Sequence, residues 1–195
     1  MPARYAIEMT RLLELSCHPR TRADAVHAIR AHVSRAPDGG LRVSFLLTGE
    51  LSGLRVPAPR APRVGRDLWR HTCFEAFVAV EGASAYHELN FAPSGEWTVL
   101  AFRRYREGEP LDDDVPPPEI VVRTTHDHLE LDAVVPLDRL SPSYGSAPLR
   151  LALAAVVEET SGGMSYWSLH HPAGKPDFHH DDAFVVRLEP PGVAC

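Results

Sequence analysis

Between Leu68 and Gly108 the apolar residues recur every second position, a spacing that suits the two faces of a strand and not the stripe of a helix. Phe74, Ala76 and Val78 alternate with Cys73, Glu75 and Phe77. Leu89 and Phe91 alternate with Tyr86, Glu88 and Asn90, and Trp97, Val99 and Ala101 alternate with Leu100 and Phe102. Glu81-Gly82 and Pro93-Ser94-Gly95 supply the turns between these runs. The pattern predicts a meander of three antiparallel strands. One face makes core, and the other holds two carboxylates and an amide that must meet something other than hydrocarbon.

The same period continues on both sides. Leu41, Val43, Phe45 and Leu47 alternate behind an Asp38-Gly39-Gly40 turn, and Asp24 to Arg35, where Val26, Ile29 and Val33 also fit a helix stripe, is assigned to a hairpin with that strand. Leu129 to Val135 and Leu149 to Val157 are strands, and Pro136 to Leu140 makes one helical turn. Met164 to His170 and Ala183 to Leu188 are the last two strands. Three prolines deny Val56 to Val64 a regular ladder, and the acidic, Pro-rich Glu109 to Pro118 reads as a connection. Nine or ten short strands with hardly any helix predict an antiparallel β-sandwich, and 195 residues suit one domain, residues 1–195.

Composition excludes some functions. A net charge of -6 argues against nucleic-acid binding, which needs a basic face. Three widely spaced cysteines, Cys17, Cys73 and Cys195, give neither a disulfide framework nor a CxxC pair. With no apolar run near the ~20 residues of a membrane span and no signal-like start, a soluble, cytoplasmic protein is expected.

The chemistry-bearing residues fall into two groups. Trp69, Trp97 and Trp167 lie beside polar residues near strand starts, where an indole face can stack on the C–H face of a sugar ring while Glu75, Glu88, Asn90 or Arg70 bonds its edge. Each of them alternatively reads as a partly buried core residue, the commoner role of a large aromatic. The run from His170 to Asp182 holds four His and three Asp, so His170, His179 and Asp177 are candidate metal ligands; the alternative is that Asp177 and His179 anchor a loop. Haem would use Met164 with His71 or His171, although no CxxCH attachment motif exists. Glu75 and Glu88 on adjacent strands also suit the acid and base of a glycoside hydrolase, though no nucleophile elbow, P-loop or dinucleotide motif accompanies them.

Three segments, LWRHTCFEAFV from Leu68, YHELNFAPSGEWTVLAFRRYREG from Tyr86 and SYWSLHHPAGKPDFHHDDAF from Ser165, resemble the DOMON-like proteins of bacteria, which are similar to the family 9 carbohydrate-binding modules. The resemblance spans nearly the whole chain. It implies an immunoglobulin-like antiparallel sandwich that binds a sugar or, in other branches, haem, with aromatic side chains at Trp69 and Trp167 clasping the ligand. The leading expectation is therefore a non-enzymatic, carbohydrate-binding sandwich without a cofactor, using Trp69, Trp167, Glu75, Glu88, Asn90 and Arg70. A haem- or metal-binding domain, a glycoside hydrolase and a sandwich used only for protein association are the alternatives.

Overall fold

A computed structural model of the chain describes residues 12–36, 39–111 and 115–190. Asp38 of the anticipated turn, part of the acidic connection and Cys195 lie outside the described residues.

The described residues form strands β1 (Leu13–Cys17), β2 (Val26–Arg35), β3 (Leu41–Gly49), β4 (Arg63–Val64), β5 (Cys73–Val80), β6 (Tyr86–Phe91) and β7 (Glu96–Arg104). After them come β8 (Glu107–Pro110), β9 (Glu119–Thr124), β10 (His128–Val135), β11 (Leu149–Glu158), β12 (Met164–Ser168) and β13 (Val186–Leu188). The only helical pieces among them are short 3-10 turns, one being Leu68–Arg70 and another Leu137–Arg139 inside the predicted turn. Among the described residues no helix is long and apolar enough to cross a membrane.

The β5–β6–β7 meander forms as its alternation predicts, with Glu75 opposite Asn90 and Phe77 opposite Glu88. β2 and β3 form the anticipated hairpin. Three expectations need correction. Arg63–Val64, assigned to an irregular loop, pairs in parallel with Glu96–Trp97, so the strands are not all antiparallel. Glu107–Pro110 folds back on β7 and extends the ladder into the presumed connection. The last strand begins only at Val186, because Asp181–Ala183 makes a 3-10 turn.

The strands run in one continuous order, β4-β7-β6-β5-β11-β12-β1-β2-β3-β10-β9, with β8 added to β7 and β13 to β11. β1 turns the corner. Its Leu13–Leu15 pair with β2, and its Ser16–Cys17 pair with β12. The sheet therefore curls on itself, and the two halves face each other across a single core. The rings of Phe45 on β3 and Phe74 on β5 stack across it with centroids 5.0 Å apart, and Ile29, Leu47, Leu89, Leu131 and Leu153 fill the space around them. Burying each such side chain contributes about 2–3 kcal/mol, which holds the curl closed.

A second layer covers the outer side of the β5–β6–β7–β11 half. There Phe77, Tyr86, Phe102 and Ala152 pack under Phe178, Ala183 and Phe184 of the closing segment 170–184. Tyr86 and Phe102 lie ring on ring, 4.7 Å apart and only 4° from parallel. This cover buries both faces of β5.

Candidate ligand-binding site

The same outer side carries the polar residues singled out in the sequence. Strand parity sends Cys73 and Glu75 of β5, and Glu88 and Asn90 of β6, to the same side, away from Phe74, Ala76 and Leu89 in the core. Glu75 stands directly across from Asn90, and Glu88 is its diagonal neighbour, so the three are brought together. Ala152, Ala154 and Val156 of β11 are buried on the same side. Thr98 and Leu100 on β7, and Met164 and Tyr166 on β12, are partly exposed at its two sides.

The three polar side chains are buried, with relative exposures of 3% for Glu75, 5% for Glu88 and 0% for Asn90. The Asn90 amide donates to Glu88 Oε1 at 2.7 Å. Oε1 of Glu75 is buried and has no hydrogen-bond partner among the described residues. Burial, and secondly the charge of Glu88, push the Glu75 carboxyl well above the ordinary carboxylate range, against the opposing pull of Arg106. Burial also raises Glu88, while the Asn90 bond and Arg106 act the other way. Two neighbouring carboxyls thus lie in a space that resists charging both.

One wall comes from the closing segment. His179 stands beside Glu88, its Nε2 3.7 Å from Oε2, and its Nδ1 meets the Tyr86 hydroxyl at 2.9 Å. Its ring is set edge-on to Phe77 and Phe102. Burial, and then the nearby Arg106 cation, hold the imidazole down to about 4, with Asp177 opposing, so it is neutral at neutral pH. Asp177 accepts from the Tyr105 hydroxyl at 2.6 Å and from the Arg106 guanidinium at 2.8 Å. The Arg106 backbone N–H donates to Tyr86. Arg106 holds a left-handed backbone, φ 54°, in the tight β7–β8 turn, which turns its side chain back to Asp177.

The other wall is the 3-10 turn Leu68–Arg70. Leu68 packs on Cys73 and Ala92 at the end of the same face, which leaves the next residue, Trp69, 48% exposed. The Arg70 guanidinium lies over that indole, 4.9 Å from its centroid. His71 follows and binds Glu158 Oε2 at 2.7 Å. Met164 sits opposite Glu158 on β12.

Trp167 is not part of this arrangement. Parity on β12 sends it, with Ser165, to the interior, where it is 6% exposed and its Nε1 donates to Ser165 Oγ at 3.0 Å. Trp97 is likewise core. The expected pair of stacking indoles is therefore reduced to Trp69. Of the metal candidates, His170 is exposed, and Asp177 and His179 are engaged as the loop-anchoring alternative anticipated. Among the described residues no group of three or more His, Cys, Asp or Glu is arranged to hold a metal ion. His171 is bonded through Nε2 to the Ser16 carbonyl. Arg106 and Tyr105 were not singled out from the sequence; the Arg-rich run Arg103-Arg104-Tyr105-Arg106 was the one local signal for them.

No sequence profile of a protein family matches the chain, and no curated protein matches it. Solved structures do. A proposed carbohydrate-binding protein from Bacteroides uniformis superposes with a TM-score of 0.64 over 92% of this chain and 85% of that one, at 13% identity. A family 9 carbohydrate-binding module from Caldicellulosiruptor kristjanssonii, solved with glucose, superposes with a TM-score of 0.52 over 95% of this chain and 86% of that one, at 9% identity. This chain shares their all-β fold.

A separate open groove of about 750 Å³ lies on the outer side of the other half, lined among others by His27, Thr48, Glu50, His126, His128 and Glu130. None of the residues singled out in the sequence lines it, and neither does any Trp, Tyr or Phe.

Proposed function

We propose that this protein is a non-enzymatic carbohydrate-binding domain whose ligand docks on the outer face of β5 and β6, between the Leu68–Arg70 turn and the closing segment. The observation that carries the reading is the grouping of Glu75, Asn90 and Glu88 on one face, with an unsatisfied carboxylate oxygen, and an exposed indole on the turn whose Leu68 packs against Cys73 of that face. Buried acceptors suit sugar hydroxyls, which donate along the ring edge, and Trp69 offers a flat apolar surface to the ring itself. An unpaired buried acceptor is costly, and a ligand hydroxyl relieves that cost on binding. The carbohydrate-binding neighbours in fold support the same reading. It also takes the curled sheet as a form of the immunoglobulin-like sandwich of DOMON-like proteins.

Titration of the full chain with glucose, cello-oligosaccharides and other mono- and oligosaccharides, followed by calorimetry and tryptophan fluorescence, tests it. Saturable binding that Trp69→Ala weakens at least tenfold is expected. No heat and unchanged fluorescence with every sugar would count against it.

The raised Glu75 carboxyl gives a second reading some support, because a general acid must hold its proton near neutral pH. Turnover of a glycoside that disappears in Glu75→Gln would promote hydrolysis above binding.

A further inference from the structure

We infer that the ligand of this face carries a cationic nitrogen, making it an amino sugar or a similar polyhydroxylated amine, with its ammonium seated against Glu75 and Glu88. The inference rests on the proposal that this face is the ligand site, and it specifies the ligand class.

The donors and charges around the floor set the class of ligand it can take. Around the floor the fixed acceptors are the carboxylates of Glu75 and Glu88, acceptor-only when ionised. The Asn90 amide is already given to Glu88, and His179 is turned through Nδ1 to Tyr86. The one cation that acts on both carboxylates is Arg106, and its guanidinium is bonded to Asp177. Three carboxyl groups, Glu75, Glu88 and Asp177, thus share one guanidinium that is already bonded, and burial resists charging Glu75 and Glu88 together. Cys73 and Tyr86 on the same strands are neutral at pH 7, their ionisation disfavoured first by burial, and the Arg70 guanidinium on the other wall lies over the Trp69 ring.

What is missing is one positive charge with several donors. A neutral hydroxyl fills the orphaned Glu75 oxygen but does nothing to let this buried pair carry two charges. An ammonium supplies three donors and a compact charge together, and it offsets the mutual repulsion of the pair. A carboxylated sugar would add another negative charge to the cluster. N-acetylation removes the cation and introduces a further acceptor.

The experiment compares glucosamine, glucose, N-acetylglucosamine and glucuronate on the full chain by calorimetry at pH 7, with wild type, Glu75→Gln and Glu88→Gln. The expected result is glucosamine at least tenfold tighter than glucose, N-acetylglucosamine no tighter than glucose, and no measurable glucuronate binding. Each Gln variant should bring the glucosamine-to-glucose ratio close to one. If a variant does not fold, the four-sugar comparison on wild type still decides. Glucose binding as tightly as glucosamine, or a glucosamine preference that survives both substitutions, overturns the inference while leaving sugar binding in place. Failure of all four sugars to bind overturns both.

Discussion

His179 presents its Nε2 to the Glu88 carboxylate across 3.7 Å while its Nδ1 is bonded to the Tyr86 hydroxyl, so one ring from the closing segment ties that segment to the strand face beneath it. Its folded-state value of about 4 lies below the ordinary 6.5. An unfolded chain accepts the proton as pH drops below 6.5, and the folded one resists until about 4. Stability is therefore lost progressively across that window as pH falls, by up to about 3 kcal/mol. Melting curves from pH 7 to pH 4 should show a shallower decline for His179→Gln than for wild type. Parallel declines would mean that the imidazole does not titrate as its surroundings require.

The buried carboxyl pair has the opposite slope. Glu75 is raised in the folded state, so the folded protein is penalised at pH values above that raised value, and the penalty fades as pH falls toward the ordinary carboxylate range. Glu75→Gln removes the charge, and its new amide can donate to Glu88. A gain on the order of 1–2 kcal/mol, roughly 2–8 °C in Tm, is expected at pH 8, shrinking toward zero near pH 4.5. A variant that is equally stabilised, or destabilised, at both pH values would contradict this account.

Gly95 is required by geometry at the β6–β7 turn. Its φ is +86°, and a Cβ there would stand 2.7 Å from the Arg60 carbonyl oxygen, a backbone atom that cannot swing away. The same approach lets the Arg60 N–H donate to the Ser94 carbonyl at 2.8 Å, fastening the Pro-rich segment to the meander. Gly95→Ala should cost about 1–3 kcal/mol in urea unfolding. Gly82→Ala, whose φ is +78° but whose Cβ would meet nothing within 4 Å, should cost less.

Much of this was legible in the sequence, for reasons that differ between elements. β5, β6 and β7 announce themselves because alternation and turn residues are local signals, and parity alone puts Glu75, Glu88 and Asn90 on one side. β9 gave no usable pattern: it is an edge strand paired only with β10, short and mostly exposed. Parity also fails to say which side is interior when both sides are covered. Tyr166 and Trp167 are adjacent aromatics, and only the docking of distant Phe178 and Phe184 on the outer face decides that Tyr166 looks out and Trp167 in. The Arg106–Asp177 pair spans 71 residues, and no local pattern encodes such a contact.

The two tryptophans that the sequence treats alike should behave as opposites. Trp167 fills the core between the sheet halves, and truncation leaves a cavity and strands its bonding partner Ser165. Trp167→Ala should therefore cost about 3–5 kcal/mol in urea unfolding. Trp69 is half exposed, with the Arg70 guanidinium over its ring, so Trp69→Ala should stay within about 1 kcal/mol of wild type. Its effect belongs instead in the sugar titration, where losing the stacking surface should weaken binding at least tenfold. Undiminished sugar affinity in a stable Trp69→Ala protein would move the ligand away from the Leu68–Arg70 turn, whereas a mild Trp167→Ala phenotype would mean that its indole is not packed as a core residue.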